Sequence, residues 1–425
     1  MQRSRNARNL LVVVTAGFLA SFTLAIEGQT ASEAPAAFDN QPVPGFYPGT
    51  PAQQQAAFDA DRATFEERDE IADGLGPVFN AQSCAECHQN PVTGGGSQVA
   101  ELRAGHNDVF GNFVDAPGGS LINDRAINAA IQERVQGADD IRTLRMSTSV
   151  LGTGFIEAIN SNALIAIANA QPGQSGGAIA GQVIQVPVLE APGQVRVGRF
   201  GWKNQNSSLL SFAGDAYLNE MGITNRLVRA ENTSSGRSVA AFDTVRDDTR
   251  CEDDPTELCG EDAEGDIEIF ARFMRATKAP PRDAALAGTS DAINGSNLFN
   301  SIGCNICHVT SITTSSPGTV INGGTFTVPA ALGNKIIHPY SDFLLHDIGT
   351  GDGIVQNGGR STANKLRTVT LWGTRTRDRH MHDGLSLTFT DAILRHGGEA
   401  TNVTNRFRAL TQTQRTQIVT FLQSL

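Results

Sequence analysis

The sequence predicts a mainly α protein made of two similar units in tandem, with loop and small β insertions. Three observations predict it. The pentapeptide Cys-x-x-Cys-His stands twice, at Cys84-Ala85-Glu86-Cys87-His88 and Cys304-Asn305-Ile306-Cys307-His308. A Phe-Asn pair (Phe79-Asn80, Phe299-Asn300) precedes each first cysteine by the same interval. A second string repeats behind each: Leu144-Arg145 with Thr148 and Leu151-Gly152-Thr153, then Leu366-Arg367 with Thr370 and Trp372-Gly373-Thr374. The copies lie 220 residues apart at Cys84 and Cys304, and 222 apart at Arg145 and Arg367, so order and spacing agree.

Two thiols one helical turn apart can each add to a vinyl group of one porphyrin, and the adjoining imidazole then reaches the iron. A lone pentapeptide also suits a zinc or dithiol site. Two copies with one approach sequence point instead to two covalently bound c-type haems, held by Cys84, Cys87 and His88 and by Cys304, Cys307 and His308. The units then read as two cytochrome c-like haem domains. Arg145 and Arg367 suit haem propionates as bidentate partners, against the plainer view of surface arginines.

The 425 residues suffice for two or three domains with sizeable cores. A net charge of -11 argues against nucleic acid and against an anionic membrane as partners. Met1 to Ala25 reads as a signal peptide: Arg3, Arg5 and Arg8, then an apolar Leu10–Ala20, then Thr23-Leu24-Ala25 as a cleavage site. The alternative is an uncleaved anchor, but the stretch is short and broken by Thr15, Ser21 and Thr23. Export, to the periplasm of a bacterium, agrees with haem of the c type. No other segment is apolar enough to span a bilayer. Cys251 and Cys259 flank an acidic stretch and are expected to form a disulfide, since acidic neighbours do not favour a reactive thiolate.

Residues 26–62, rich in Ala, Pro, Gln and Gly, read as a flexible lead-in. The first haem domain then spans 63–280 and the second 281–425, divided at Pro280-Pro281. A helical pattern through Phe65–Ile71 stops at Gly74 and Gly76. Asp124–Gly137 reads as an amphipathic helix with Ile127, Ile131 and Val135 on one face. Gln171–Gly198 reads as a hairpin insertion, Asp266–Thr277 as a helix with Ile267, Phe270 and Met274 inward, and Thr313–Val328 as a β-excursion. A helix from Thr411, with Gln414 completing a capping box, closes the chain.

Five strings resemble the bacterial di-haem cytochrome c peroxidase superfamily, and within it the branch called di-haem oxidoreductase or thiol oxidoreductase. They are Gly198-Arg199-Phe200-Gly201-Trp202-Lys203, Ile337-His338-Pro339-Tyr340-Ser341-Asp342, Leu345-His346-Asp347-Ile348-Gly349, His382-Asp383-Gly384 and His396-Gly397-Gly398-Glu399-Ala400. The likeness runs from about Gly74 to Leu425. It implies that one haem binds hydrogen peroxide while the other feeds it electrons from a small carrier protein, a cytochrome or cupredoxin. It implies an inter-haem tryptophan, here Trp202, and a distal acid, here Glu220, with Glu157 as runner-up. It also implies calcium between the domains, for which the sequence offers no ligand set.

Each iron needs a second axial ligand or an open position. For the second haem His396 stands where relatives have Met or Tyr, with His380, Met381 and His382 as rivals. For the first haem His106 is the candidate displaceable ligand, with Met146 and Met221 behind it. Asp342, His346 and Asp347 read as loop-fixing groups rather than a metal site. The expected activity is peroxide reduction. The alternative is a di-haem electron-transfer protein, or an oxidase acting on a thiol, a sulfur compound or a partner protein.

Overall fold

In a computed structural model that describes residues 30–425, the chain enters through β1 (Ser32–Glu33). This strand pairs in parallel with Lys335 and Ile336 of the second half. Thr50 then caps α1 (Pro51–Glu66), its hydroxyl accepting from the Gln53 amide while the Gln53 side chain accepts from the Thr50 amide, with Pro51 at the first helical position. The expected flexible lead-in is therefore corrected over its described part. Val43 and Tyr47 are buried, the Val43 amide donates to the Ala276 carbonyl, and Tyr47 Oη donates to Asp61 at 2.7 Å. Composition hid this because Ala and Gln are good helix formers once a cap is present. The expected signal peptide lies outside the described residues.

α1 also overrides the pattern expected from Phe65 to Ile71: it ends at Glu66, and Ile71–Asp73 is a separate 3₁₀ turn. Phe58 and Phe65 pack on Phe273 of a long amphipathic helix, with ring centroids 5.3 and 4.7 Å apart. In chain order the packed helices are α2 (Leu209–Ala216), α3 (Asp266–Ala276), α4 (Ser290–Ile302) and α5 (Gln412–Gln423). α3 buries Ile267, Phe270 and Met274, the face its periodicity predicts. α5 carries the predicted Thr411–Gln414 capping box. It lies against α4 so closely that a Cβ at Gly295 would meet the Gln417 carbonyl oxygen at 1.9 Å. Phe299, Ile418, Phe421 and Leu422 close a core there.

A sheet that the sequence did not announce stands in the first half. Its centre is β2 (Ala100–Asn107), paired antiparallel with β3 (Phe113–Asp115), β4 (Leu121–Ile122) and β5 (Ile141–Met146). The helix expected over Asp124–Gly137 does not form. Arg125 and Ala126 pair with Phe79 and Val78, and only a 3₁₀ turn follows at Ala129–Ile131. The reason is Glu133: its carboxylate turns inward to accept from the amides of Asn123 (2.6 Å) and Ser235 (2.6 Å), a role a solvent-facing helical Glu cannot play. Ile131 and Val135 then bury in two separate small clusters.

Strand content is otherwise short. Gln185–Pro187 and Val195–Val197 form the hairpin expected within 171–198, although Gln171 to Ser175 belong to the preceding helix, Ser161–Ser175. Val320–Ile321 and Phe326–Thr327 form the expected excursion. The fold is thus mixed rather than mainly α. One apolar cluster runs from Val43 through Phe155, Leu209 and Phe273 to Leu332, Phe343 and Trp372, so residues of both halves share a core. The repeated strings adopt matching local structure: Arg145 and Arg367 are buried on strands, and Gly152 (φ 73°) and Gly373 (φ 71°) make the same left-handed turn. No helix of the described residues is long and apolar enough to cross a membrane.

Candidate functional site

Each Cys-x-x-Cys-His occupies one tight turn with its histidine just beyond. Cys84–Cys87 is a helical turn capped by the Ser83 hydroxyl, and the His88 amide donates to the Cys84 carbonyl at 3.1 Å. The second copy starts as α4 ends: Gly303 takes φ 98°, Cys304–Ile306 makes a 3₁₀ turn, and the His308 amide donates to the Cys304 carbonyl at 3.0 Å. Burial pushes the thiols up, Cys87 and Cys304 to about 12, the opposite of a reactive dithiol. Burial also lowers His88 and His308 to about 4, so both rings are neutral, the form that ligates a metal.

Cys84, Cys87 and His88 open on a large cavity of about 1050 Å³, lined by charged and apolar side chains together. Glu101, Arg103, Arg145, Trp202, Asp215 and Glu220 also line it. Arg103 donates to both Glu101 oxygens, at 2.6 and 3.3 Å, and Asn80 donates to Glu220 at 2.9 Å. Glu220 is pushed up to about 8, first by burial and then by the Glu101 charge beside it. Arg145 lines this cavity as the sequence led us to expect, but its charge is already met. It pairs with buried Asp352 at 2.8 Å, and Lys203 pairs with the other Asp352 oxygen at 2.9 Å.

Cys304, Cys307 and His308 open on a smaller cavity of about 180 Å³, walled by Phe299, Val369, Phe389, Ile393, Phe407 and Leu422. His308 Nδ1 donates to the Tyr340 carbonyl at 3.0 Å, and His396 Nδ1 donates to the Ala392 carbonyl at 2.7 Å. Each ring therefore keeps Nε2 free, and the two ring centroids stand 6.4 Å apart. A metal bound by two opposed imidazoles needs a centroid separation of about 6 Å, given metal–nitrogen bonds of about 2 Å. Arg367 and Arg377 line the same cavity, and burial lowers each to about 10. Neither has a carboxylate partner among the described residues, which leaves one buried and one half-buried cation facing a site with no anion of its own. Neutral imidazoles, paired thiols and unmatched guanidinium groups fit an iron porphyrin with its propionates.

Trp202 lines both cavities. Its Nε1 donates to the Met146 carbonyl at 2.8 Å, while the Met146 amide donates to the His382 carbonyl at 2.7 Å. Trp202 and His382 meet edge to face at 6.0 Å. Lys203 anchors the loop on the carbonyls of Thr362, Ala363 and Lys365. The family-like string Gly198–Lys203 thus ties the halves together where the cavities come closest to sharing a wall.

Other expected residues lie elsewhere. His106 is not brought to either cavity: its Nδ1 meets Asp139 at 3.1 Å on the sheet. Glu157 is also outside both, fully buried, clamped by Arg275 at 2.6 and 3.0 Å and accepting from the Leu209 amide and Asn322. Arg275 holds it below the usual carboxylate range against its burial, which makes it a structural ion pair rather than a proton donor. His346 donates to Asp342 and Glu399, both at 2.8 Å, and these charges hold it well above the usual histidine range. With both nitrogens protonated it has no lone pair for a metal, and it fixes its loop as expected. His380 and Met381 line the second cavity, but His380 is stacked on Phe389 at 4.5 Å.

Sequence reasoning missed Glu101, Arg103, Asp352 and Arg377. Glu101 and Arg103 alternate along β2, and their shared face emerges only once the sheet is known. Arg377 lies in the run Arg375-Thr376-Arg377-Asp378-Arg379, which reads as a solvated charged stretch.

Two haem-type turns, two cavities and one indole in the wall of both define a di-haem oxidoreductase. Residues 113–425 match the family described as "Di-haem oxidoreductase, putative peroxidase", and the chain belongs to that family. The match begins after the first Cys-x-x-Cys-His. No curated protein matches the chain. Among solved structures it is similar to a Kuenenia stuttgartiensis hydrazine synthase, at 14% identity and TM-score 0.39, covering 99% of this chain and 100% of that one. It is also similar to a MauG-like protein associated with microbial copper homeostasis, at 14% identity and TM-score 0.40, covering 93% of each. A third is the diheme peroxidase BthA from Burkholderia thailandensis E264, at 14% identity and TM-score 0.32, covering 76% of this chain and 94% of that one. At these values the likenesses bear no functional weight.

Proposed function

We propose that the protein is an exported di-haem c oxidoreductase that reduces hydrogen peroxide. Electrons enter from a small carrier protein at the second site and pass Trp202 to the first. The observation that carries this reading is the contrast between the cavities across Trp202. One is roomy, lined by charged as well as apolar side chains, and holds Glu220, an acid pushed up by burial, while the other is narrow and apolar with two opposed imidazoles.

The four thiols of Cys84, Cys87, Cys304 and Cys307 would form the thioethers that hold the porphyrins. His88 would hold the iron of the first haem, and His308 with His396 that of the second. Arg367 and Arg377 would bind the second pair of propionates. The bound haems supply iron that takes up electrons one at a time and, where a position is open, binds peroxide. Glu220 orients peroxide in the first cavity and delivers a proton to its outer oxygen. Trp202 shortens the gap an electron must cross. The Cys251–Cys259 disulfide suits an oxidising compartment.

The test is spectroscopic. The half-reduced holoprotein should show one high-spin and one low-spin haem, and peroxide turnover should follow. Two permanently low-spin haems without turnover would refute the reading and favour an electron-transfer protein or an oxidase of thiols.

A further inference from the structure

We propose that Glu101, its carboxylate clamped by Arg103, is the positioning residue for Glu220, and that the two share one proton at the first haem site. The inference rests on the peroxidase reading above and adds a second carboxylate to it. Glu101 comes from β2 and Glu220 from the turn Tyr217–Met221 that follows α2, so only the fold brings them together on one cavity wall. Both carboxyl groups face this cavity and each acts on the other; two bare carboxylates there would repel, so one of them holds a proton. Arg103 binds both oxygens of Glu101 and so assigns the negative charge to it. Glu220 accepts from a neutral side chain, Asn80, at 2.9 Å, and the Arg103 charge lowers it less than burial and Glu101 raise it, so it keeps the proton.

The surrounding charges agree with that division. Arg145 of β5 acts on Glu101 and lowers it further. Asp215 of α2 faces Arg103 and Glu101, is itself pushed up by burial, and offers no cation to Glu220. Beside the first Cys-x-x-Cys-His, Glu86 is paired with Arg125 at 3.0 Å and cancels it. A carboxyl group kept protonated by a fixed neighbouring charge is what the outer oxygen of peroxide requires. In the overall step, hydrogen peroxide, two electrons from the reduced carrier and two protons give two water molecules. Glu220 supplies one proton as the O–O bond breaks and is reprotonated from solvent, which also supplies the other.

The experiment uses the holoprotein and infrared difference spectroscopy across pH. A protonated-carboxyl carbonyl band, absent in Glu220→Gln, should titrate near 8 in the wild type. In Glu101→Gln its midpoint should fall by about one pH unit or more, a tenfold or greater loss of proton affinity. The alkaline limb of kcat/KM should move down with it, and Glu101→Asp, which keeps the charge, should restore most of the midpoint. An unmoved midpoint in Glu101→Gln, or no such band at neutral pH in the wild type, overturns the proposal, and the wild-type measurement stands even if the variant fails to fold. A shifted midpoint without peroxide turnover would uphold the pair and sink the peroxidase reading. Turnover with an unmoved midpoint would do the reverse.

Discussion

The two cavities begin with the same five-residue motif and end as chemical opposites. Around the first, carboxylates gather and the buried arginines are already paired: Arg103 with Glu101, Arg145 with Asp352. Around the second, apolar side chains close in, and among the described residues Arg367 and Arg377 stand without carboxylates. A related difference marks the most strongly raised acids of the described residues. Those pushed up to 6 or more, Asp69, Glu220, Glu231, Glu261, Asp262 and Asp266, all lie in the first half. In the second half Asp352, Asp383 and Glu399 are held down by cations or histidine. A shared motif therefore sets how a cofactor is held, and the lining sets what it is used for.

The sharpest way to break this contrast is Glu220→Gln. It should lower kcat/KM for peroxide by about 10²- to 10⁴-fold, as loss of an acid–base group does, with the second haem's spectrum unchanged. A comparable spectral change at the second site would show that the cavities are not separate. Next, His396→Gly should convert one of the two haems from low- to high-spin in the EPR spectrum. If both stay as they were, His380, Met381 or His382 holds that position.

The paired and unpaired arginines should then differ in stability. Arg145→Ala breaks a buried ion pair and should cost about 3 kcal/mol in denaturant unfolding of the holoprotein. Arg367→Ala leaves no carboxylate side chain of the protein unpaired; it removes a hydrogen bond to the Gly201 carbonyl at 2.7 Å together with the proposed propionate contact, and should cost about 1–2 kcal/mol with a change in the second haem's spectrum. Equal costs would erase the distinction drawn between them.

Smaller effects follow pH and the two motif turns. Burial pushes Glu231 up to about 9 and Glu261 to about 8, so both favour the folded state while protonated. That contribution is complete below the unfolded carboxyl pKa and is lost as pH rises through 8 and 9. Thermal unfolding should show stability falling over this window, with the fall reduced in Glu231→Gln. At the motifs, Gly303→Ala should cost about 1–2 kcal/mol from its left-handed backbone, since the nearest atoms to an added Cβ stand 3.5 Å away. Ser83→Ala should cost about 1 kcal/mol as a lost cap. Denaturant midpoints would rank the pair.

Much of this was legible in the residues. Both motifs, their repeated approach, the disulfide of Cys251 with Cys259, α3 with its buried face and α5 with its cap were all read from local patterns, and local patterns determine turns and helices. Residues 30–62 misled because composition speaks of propensity, while burial of Val43 and Tyr47 depends on partners far along the chain. Asp124–Gly137 misled because its periodicity is helical but Glu133 is needed by amides at Asn123 and Ser235.

By itself, then, the chain's order of residues determined the two Cys-x-x-Cys-His turns and their capped helices, because those depend on neighbours a few positions apart, while Trp202 and Glu220 were named only through a family resemblance. Tertiary structure alone decided that Glu101 meets Glu220, that Asp352 claims Arg145, and that His396 faces His308 across a slot. Each of those is a contact between distant segments, and the charge state of a carboxylate or imidazole follows from what is packed against it, not from its place in the chain.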